Sequence, residues 1–303
     1  MRLGLVCISE MLRDEKKLSA KTMTRKGFNA RPRKDALALL SARILHNTTV
    51  VAATLGSMVG NGIRHYRVSS SIFPCVTDAT LHMTVADLPD IDAIRANLRG
   101  AGNLARAMSI SLSCHPDQFN VLSSYNPLTV ERSIKELNHQ SAVLDMLGCA
   151  QDLSSPMCLH LNKTPDLKCE TVHDYRERFL SSLSRCNAGV RARLVLENED
   201  KGYWTTQQLH CWFGAHRALV YDNLHDKCNP SIDENVAVPL FRQTWGNHTP
   251  VFHWSEGTAA KPRSHAGRAS HMPAIVSANS DCIWEVELKD KDYAICEILN
   301  TLI

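Results

Sequence analysis

The sequence predicts an α/β fold, a single (β/α)₈ TIM barrel, from three observations. Eight short runs of apolar and β-branched residues recur along the chain, and amphipathic stretches separate them. Strands that alternate with helices form parallel sheets, and eight such units close a barrel. The length of 303 residues also suits one barrel, which uses about 250 residues or more. We therefore expect residues 1–303 to form one domain.

Each predicted strand is a run of about five to eight residues, a pattern typical of strands that are buried on both faces. The eight strands are predicted at 2–8, 63–70, 109–114, 156–161, 193–198, 218–223, 250–255 and 281–288. An open doubly wound sheet is the alternative. The nucleotide-binding forms of that sheet are not indicated, because no G-x-G-x-x-G follows the first strand and no G-x-x-x-x-G-K-[ST] occurs.

Helices are predicted between these strands. In the first of them, Leu37, Leu40 and Ile44 recur at roughly helical spacing. The predicted helices span 35–46, 89–108, 128–147, 173–185, 205–216 and 291–303. Residues 226–249 are poorly patterned, and residues 256–280 are predicted to form a long loop.

The cysteines and the apolar segments indicate a protein of a reducing, cytoplasmic compartment. The eleven cysteines are scattered, and no C-x-x-C pair occurs. Disulfide frameworks and thiolate zinc sites need paired spacings, so buried and reduced thiols are favoured. Apolar runs of about 18 residues are missing, and the first apolar run is too short for a secretory signal. We therefore expect no membrane association.

Residues 13–36 carry all of the excess positive charge. They contain nine Lys and Arg against three acidic residues, a net of +6, whereas the whole chain has a net charge of +3. Clustered Lys and Arg bind phosphates through counterion release. A charge run is more often a solvated surface loop, however, and composition alone favours that interpretation.

Side chains of the types that bind metal ions lie at the ends of the last six predicted strands. The C-terminal ends of barrel strands face one pocket, and buried carboxylates are costly unless cations compensate them. Imidazole and carboxylate ligands suit Zn²⁺ or Mn²⁺, more than four ligands imply more than one ion, and Glu197 is suited to bridge two. The residues of this ring are His115, His160, Glu197, Asp222, His225, His253 and Glu287, and His271 lies in the following loop.

The sequence resembles the ultraviolet damage endonucleases and, more distantly, the metal-dependent apurinic endonucleases that share their barrel. The matching segments occur in the order of the family and cover almost the whole chain. YRVSSSIFP and HPDQF are specific in combination, whereas a D-x-x-H pair alone is weak. The segments are RLGLVCIS, IRHYRVSSSIFP, SCHPDQFNVLSS, ERSIKELNHQSAVLDMLG, CLHLN, LVLENED, Asp222-x-x-His225, HWS, SHM and ELKDK.

The resemblance implies incision of duplex DNA immediately 5′ to ultraviolet photoproducts, which leaves a 3′-hydroxyl and a 5′-phosphate; abasic and other lesions stay open as substrates. It also implies two or three divalent ions, with Mn²⁺ expected and Zn²⁺, Mg²⁺ or Co²⁺ as alternatives. By this analogy the first ion is held by His115, His160 and Glu197. The second is held by Glu197, Asp222, His253 and Glu287, and the third by His225 and His271. The implied catalytic residues are Glu197, His225, Glu287 and Lys289.

The resemblance also places Gln118 and Phe119 where the family has side chains that probe the lesion. An amide and an aromatic ring fill the gap left by displaced bases; a buried core position is the alternative for Phe119. The basic segment then emerges at the catalytic face, together with the loop after the seventh strand. The residues expected to bind phosphates are Lys16, Lys17, Arg25, Lys26, Arg263 and Arg268. The expected partner is damaged double-stranded DNA, bound by a monomer with no obligatory protein partner.

Three positions depart from the family pattern. Val251 stands where the family usually has a lysine, Leu224 precedes His225 where the family has adjacent histidines, and Leu5 replaces an early tyrosine. Two other functions stay open. A divalent-metal sugar isomerase also uses His, Glu and Asp at strand ends, and Val251 suggests a non-catalytic barrel that binds damaged DNA. Nicking of irradiated plasmid separates the three.

Overall fold

The computed structural model describes residues 1–301 and contains the predicted barrel. The ends of the predicted domain and of the last predicted helix, residues 302 and 303, lie outside the described residues. All eight predicted strands form, somewhat shorter than predicted, and an additional hairpin follows the seventh. The strands are β1 (Arg2–Val6), β2 (His65–Val68), β3 (Ser111–Cys114), β4 (Met157–Leu159), β5 (Leu194–Glu197), β6 (Leu219–Val220), β7 (Val251–Trp254), β8 (Gly257–Thr258), β9 (Lys261–His265) and β10 (Ile283–Val286).

Eight of these strands pair in parallel in the order β6-β5-β4-β3-β2-β1-β10-β7. Between β6 and β7, the His253 amide donates to the Tyr221 carbonyl at 2.9 Å, and a parallel bridge joins Asp222 to His253. These two contacts bring the ends of the sheet together. The parallel arrangement puts the C-terminal ends of all eight strands on one face of the barrel.

Helices surround the barrel, including the six predicted from periodicity and further helices that were not predicted. They are α1 (Glu10–Lys16), α2 (Arg25–Asn29), α3 (Arg33–Gly60), α4 (Ile91–Ala107), α5 (Pro127–Met146), α6 (Val172–Ser184), α7 (Ala188–Arg193), α8 (Thr206–Phe213), α9 (Asn223–Cys228), α10 (Glu234–Gln243), α11 (Ala274–Ala278) and α12 (Lys291–Asn300). The six predicted helices form as α3, α4, α5, α6, α8 and α12. α3 extends beyond its predicted end because Val51, Leu55 and Met58 continue the buried stripe. By length and composition alone, α3 is also apolar enough to cross a membrane. Its buried face packs in the core of the protein, which accounts for that composition.

The prediction of a long loop at 256–280 is wrong. β8 and β9 form an antiparallel hairpin, and α11 follows. Lys261, Pro262 and Arg263 of β9 are exposed, so the hairpin lacks the apolar alternation by which strands are recognised. The poorly patterned stretch 226–249 contains α10, and the basic segment folds into the end of α1, α2 and the start of α3.

The interior of the barrel is polar near the catalytic face, and the layer between strands and helices is apolar. Gly4 of β1 faces the interior, where an added Cβ would lie 2.7 Å from the His65 ring. Alternate residues of a strand point to opposite faces, so Leu5 points towards the helices, where it is fully buried in the core.

Candidate metal centre

Seven of the eight predicted metal ligands meet at the C-terminal ends of the strands, and Glu197 lies at their centre. Its Oε2 atom lies 3.0 Å from His115 Nε2 and 3.4 Å from His160 Nε2. Its Oε1 atom lies 3.1 Å from His225 Nδ1 and 3.0 Å from His253 Nδ1. Four imidazoles from four different elements thus approach both oxygens of one buried carboxylate.

A second group of ligand atoms lies beside the first. His253 Nδ1 is 4.0 Å from Asp222 Oδ2 and 3.6 Å from Glu287 Oε1. Asp222 also begins α9, where its Oδ1 accepts from the amide of His225 at 2.6 Å. The short D-x-x-H spacing therefore fixes both residues at the top of β6.

The unsatisfied atoms of this centre fit a divalent cation. Asp222 Oδ2 and His253 Nδ1 are buried and have no hydrogen-bond partner among residues 1–301, although the Nδ1 atom lies within 3.0 Å of Glu197. Unpaired buried polar atoms are costly and rare in folded proteins. A cation bound between the carboxylates and the imidazoles would satisfy both atoms.

The electrostatic environment keeps some of these residues in forms that bind metals and others protonated. Burial alone would lower the pKa of His225 and His253, but the neighbouring carboxylates raise it to about 11 for His225 and well above the usual value for His253. These two histidines therefore lose a proton when they bind a metal ion.

Burial lowers the pKa of His160 to about 4, so its imidazole is neutral at pH 7. Burial alone would raise the pKa of Glu197, but the surrounding imidazoles hold it well below the usual range. Burial also opposes ionisation of Glu287, and Arg67 holds its pKa at about 2. Burial raises the pKa of Asp222, a cost that a bound cation would offset.

A layer of charged residues beneath the ligands was not predicted from the sequence. Glu285 is 1% exposed and accepts from His65 Nε2 at 2.9 Å, Arg67 Nη1 at 3.0 Å and His253 Nε2 at 3.1 Å. Arg67 also pairs with Glu287. Because Glu285 engages the Nε2 atom of His253, it leaves the Nδ1 atom directed at the metal centre. The sequence signal for this layer was the spacing of two residues between Glu285 and Glu287, which puts both side chains on the same face of the strand.

Cys158 is a further potential ligand that the sequence analysis missed. Its Sγ atom lies 3.2 Å from Glu197 Oε2. One ligand atom from each of Cys158, His115, Glu197 and His253 lies within 4.8 Å of the others. The sequence did contain a signal for this ligand: Cys158 of β4 lies two residues before His160, and this spacing puts both side chains on the same face of the strand.

Two predicted site residues lie apart from these ligand groups. His271 is exposed after the hairpin, and its Nδ1 atom lies 2.8 Å from Ser270 Oγ. Lys289 is exposed, and its Nζ atom donates to Ser264 Oγ of β9 at 3.1 Å. Within residues 1–301, His271 belongs to no group of metal-ligating atoms. Both residues lie several positions beyond the strand ends, in segments whose direction depends on packing. The role of His271 at the third ion and the catalytic role of Lys289 stay predictions.

A cleft of about 740 Å³ opens beside the metal centre. Gln118, Phe119, Lys163, His160 and His225 line it. Phe119 is 76% exposed, so the alternative that placed its ring in the core is wrong. Its backbone amide donates to Asp117 Oδ1 at 2.9 Å, which holds the turn that presents the ring.

The predicted phosphate-binding residues are distributed around the rim. Lys16 and Lys17 end α1, Arg25 and Lys26 begin α2, and all four are exposed. Arg25 lines a hollow that Phe119 also borders.

Two further predicted phosphate ligands are partly neutralised by acidic neighbours. Arg263 lies 3.5 Å from Asp200. Arg268 pairs with Asp290 at 2.6 Å and with Glu297 at 2.5 Å, so its charge is compensated.

Comparisons with known proteins agree with this architecture. The sequence pattern of the family described as UV-endonuclease UvdE matches residues 1–303. A UV DNA damage endonuclease of Nostoc sp. is 29% identical over 98% of this chain and 88% of its own length. A UV-damage endonuclease of Schizosaccharomyces pombe is 27% identical over 78% of this chain, which corresponds to 40% of that protein.

Solved structures show the same fold. The crystal structure of SacUVDE superposes with a TM-score of 0.83 at 23% identity, over 100% of this chain and 98% of that one. A D-psicose 3-epimerase from Clostridium cellulolyticum H10 gives a TM-score of 0.54 at 9% identity, over 99% of this chain and 92% of that one.

Proposed function

This chain belongs to the UV-endonuclease UvdE family, and we propose that it is a DNA repair endonuclease that cuts the backbone immediately 5′ to ultraviolet photoproducts. The products would carry a 3′-hydroxyl and a 5′-phosphate. The observation that carries the proposal is the buried Glu197 carboxylate, surrounded by four histidines, beside a cleft that exposes Phe119. The relatives named as UV damage endonucleases support endonuclease action on ultraviolet-damaged DNA.

The metal centre would hold two or three divalent ions, with Mn²⁺ expected and Zn²⁺, Mg²⁺ or Co²⁺ as alternatives. His115, His160 and Glu197 would hold one ion, and Asp222, His253 and Glu287 would hold another together with Glu197. His225, which approaches the opposite edge of the Glu197 carboxylate from His115, would serve a third. Bound divalent ions activate water and stabilise the leaving oxygen in phosphodiester hydrolysis.

Residues of the chain itself would orient the metal ligands and position the damaged DNA. Glu285 fixes His253, and Arg67 fixes Glu287, so the ligands are held before substrate arrives. Gln118 and Phe119 would occupy the space that displaced bases leave, which favours distorted duplex over intact duplex. The exposed Lys and Arg residues of the rim would hold the flanking phosphates.

Both alternative functions fit the described residues less well. A sugar-isomerising barrel has no use for an exposed aromatic ring or a basic rim beside its cleft. The non-catalytic alternative was suggested by Val251, which removes a polar group. Arg67 and Glu285 supply charged groups to the same barrel interior, so this layer retains the polar support that a metal centre needs.

We further propose that the chain acts as a monomeric single domain in the cytoplasm, where DNA is accessible. The test compares irradiated with unirradiated supercoiled plasmid, each with Mn²⁺ and again with excess chelator. We expect nicking of irradiated plasmid only, and only with metal. Extension of the nicks by a polymerase reports a 3′-hydroxyl, and ligation after photoreversal of the lesion reports the 5′-phosphate. Equal nicking of both plasmids, or nicking that resists the chelator, would contradict the proposal.

A further inference from the structure

We propose that Cys158 ligates one of the divalent ions, so that a thiolate joins His115 and Glu197 at the first ion site. This inference rests on the proposed function only in requiring that the centre binds metal. It adds a soft ligand to a centre otherwise composed of imidazoles and carboxylates.

Three donor atoms converge on the same oxygen of Glu197. His115 Nε2 lies 3.0 Å from Oε2, Cys158 Sγ lies 3.2 Å from it, and His160 Nε2 lies 3.4 Å from it. Bonds of about 2.0–2.3 Å to a tetrahedral ion separate its ligand atoms by about 3.5 Å. The distances to Oε2 are of that order, and one ligand atom from each of His115, Cys158, Glu197 and His253 lies within 4.8 Å of the others. A small movement of the carboxylate therefore admits an ion between Cys158, His115 and Glu197.

The supporting contacts already direct these donors towards the site. His115 Nδ1 lies 2.9 Å from the Pro116 carbonyl, to which it donates in the tautomer that leaves Nε2 free for a metal. Cys158 is 5% exposed. Its thiol faces the buried carboxylate rather than an apolar neighbour, because it lies on the same side of β4 as His160.

Cys114, another buried cysteine of the barrel, does not face the metal centre. Cys114 is 2% exposed on the neighbouring strand β3. The preceding residue, Ser113, faces the interior, where its hydroxyl lies 3.0 Å from His65 Nε2. Because adjacent residues of a strand point to opposite faces, Cys114 points into the apolar layer beneath the helices. It therefore provides a matched control.

The chemical consequence is a change in metal preference. On binding, the Cys158 thiol releases its proton to solvent, and the sulfur forms a bond to the ion. Thiolates favour borderline and soft ions, whereas Mn²⁺ prefers oxygen ligands. We therefore expect this site to retain Zn²⁺ or Co²⁺ in the presence of Mn²⁺, while the site of Asp222 and Glu287 accepts Mn²⁺.

Cobalt titration of the full chain, stripped of metal with a chelator, tests the proposal. Wild type should show visible d–d bands and, in addition, the near-ultraviolet charge-transfer band of a cobalt–thiolate bond. Cys158→Ser should lose the charge-transfer band and keep d–d bands, and Cys114→Ser should keep both. Cys158→Ser should also lose at least about tenfold of the preference for Zn²⁺ over Mn²⁺, equivalent to about 1.4 kcal/mol.

The possible outcomes separate the two proposals. Cobalt that binds with d–d bands but without the charge-transfer band overturns ligation by Cys158 and leaves the metal centre in place. A chain that binds no cobalt overturns the metal centre itself. Zinc-edge X-ray absorption of the wild-type protein needs no variant and should show one sulfur at about 2.3 Å. A zinc shell of nitrogen and oxygen alone would exclude Cys158 as a ligand.

Discussion

Charged residues are concentrated in two regions: the mouth of the barrel, where the metal ligands and their supporting layer lie, and the rim, formed by the basic ends of α1 and α2. The charges at the mouth are buried, and those at the rim are exposed to solvent. At the mouth, Glu197, Glu285 and His253 are each about 1% exposed, and each lies within hydrogen-bonding distance of two or more polar side chains. At the rim, Lys16 and Lys26 are exposed to solvent. Buried charges depend on every partner being present, whereas exposed charges act almost independently and are screened by salt. Substitutions should therefore have large, non-additive effects at the mouth and small, additive effects at the rim.

The largest effect is expected from Glu197→Gln. The change keeps the shape of the side chain and removes the charge that four imidazoles surround. We expect incision to be abolished and metal affinity to fall by more than about 100-fold, beyond the loss typical of supporting residues. Plasmid nicking and metal titration measure these effects. Glu177→Gln on the exposed face of α6 is the control. Near-normal nicking by Glu197→Gln would contradict the assignment of Glu197 as a metal ligand.

Glu285→Leu tests whether the layer beneath the ligands supports them. The change leaves Arg67 and His253 without their buried acceptor, and uncompensated buried charges of this kind cost about 3–5 kcal/mol. We therefore expect the free energy of unfolding, measured by urea denaturation, to fall by about 3–5 kcal/mol. Metal affinity, measured by calorimetry, should fall about 10- to 100-fold. Glu285→Gln keeps an acceptor oxygen and should lose less of both. Equal losses in the two variants would show that this layer serves packing alone.

The double substitution of Gln118 and Phe119 by Ala tests whether these two residues of the cleft, which lies between the mouth and the rim, recognise damaged DNA. Stacking of an aromatic ring on a base contributes about 1–3 kcal/mol. We expect the preference for irradiated over intact DNA to fall by about 10- to 100-fold, while binding to intact duplex and metal content hold. Competition titrations with both DNAs measure this. Equal losses for both would assign the pair to general docking, and loss of metal would make it a support for His115.

Neutralising the rim should have a weaker and uniform effect. With Lys16, Lys17, Arg25 and Lys26 replaced by Gln, affinity should fall alike for irradiated and intact DNA. If each contacts one phosphate, the slope of log affinity against log salt becomes shallower by up to about four units of 0.9. Arg268→Gln is the matched control, because two carboxylates already compensate that charge. An unchanged slope would identify these residues as solvated surface.

The smallest effect concerns Glu199, a carboxyl that borders the cleft. Burial raises its pKa to about 7, so the folded state binds the proton more tightly than the unfolded state does. Stability is therefore lost as the pH rises from about 4.5 through 7, by about 3 kcal/mol in total. With chelator present, Glu199→Gln should be more stable than wild type at pH 8 and nearly equal to it at pH 5. Thermal melts at both values measure the difference, and a pH-independent difference would contradict it.

The sequence by itself determined the barrel and most of the ligand ring. Strands that alternate with helices must run parallel, and the ends of parallel strands share one face. His115, His160, Glu197 and His253 therefore meet there whatever the loops do. The exposed position of Phe119, in contrast, was only one of two alternatives until the turn around Asp117 was known.

Tertiary structure alone decided which further side chains join that ring. The spacing of two residues from a predicted ligand puts Cys158 and Glu285 on the ligand face of their strands. Only the closed barrel, however, brings Cys158 to Glu197 and brings Arg67 to Glu285. Lys289 and His271 lie away from the ligand groups, since packing of the hairpin and α12 sets the direction of their segments. Residues in a strand or within one or two positions of its end inherit their positions from the fold. Residues farther along the loops take theirs from long-range contacts that no local pattern encodes.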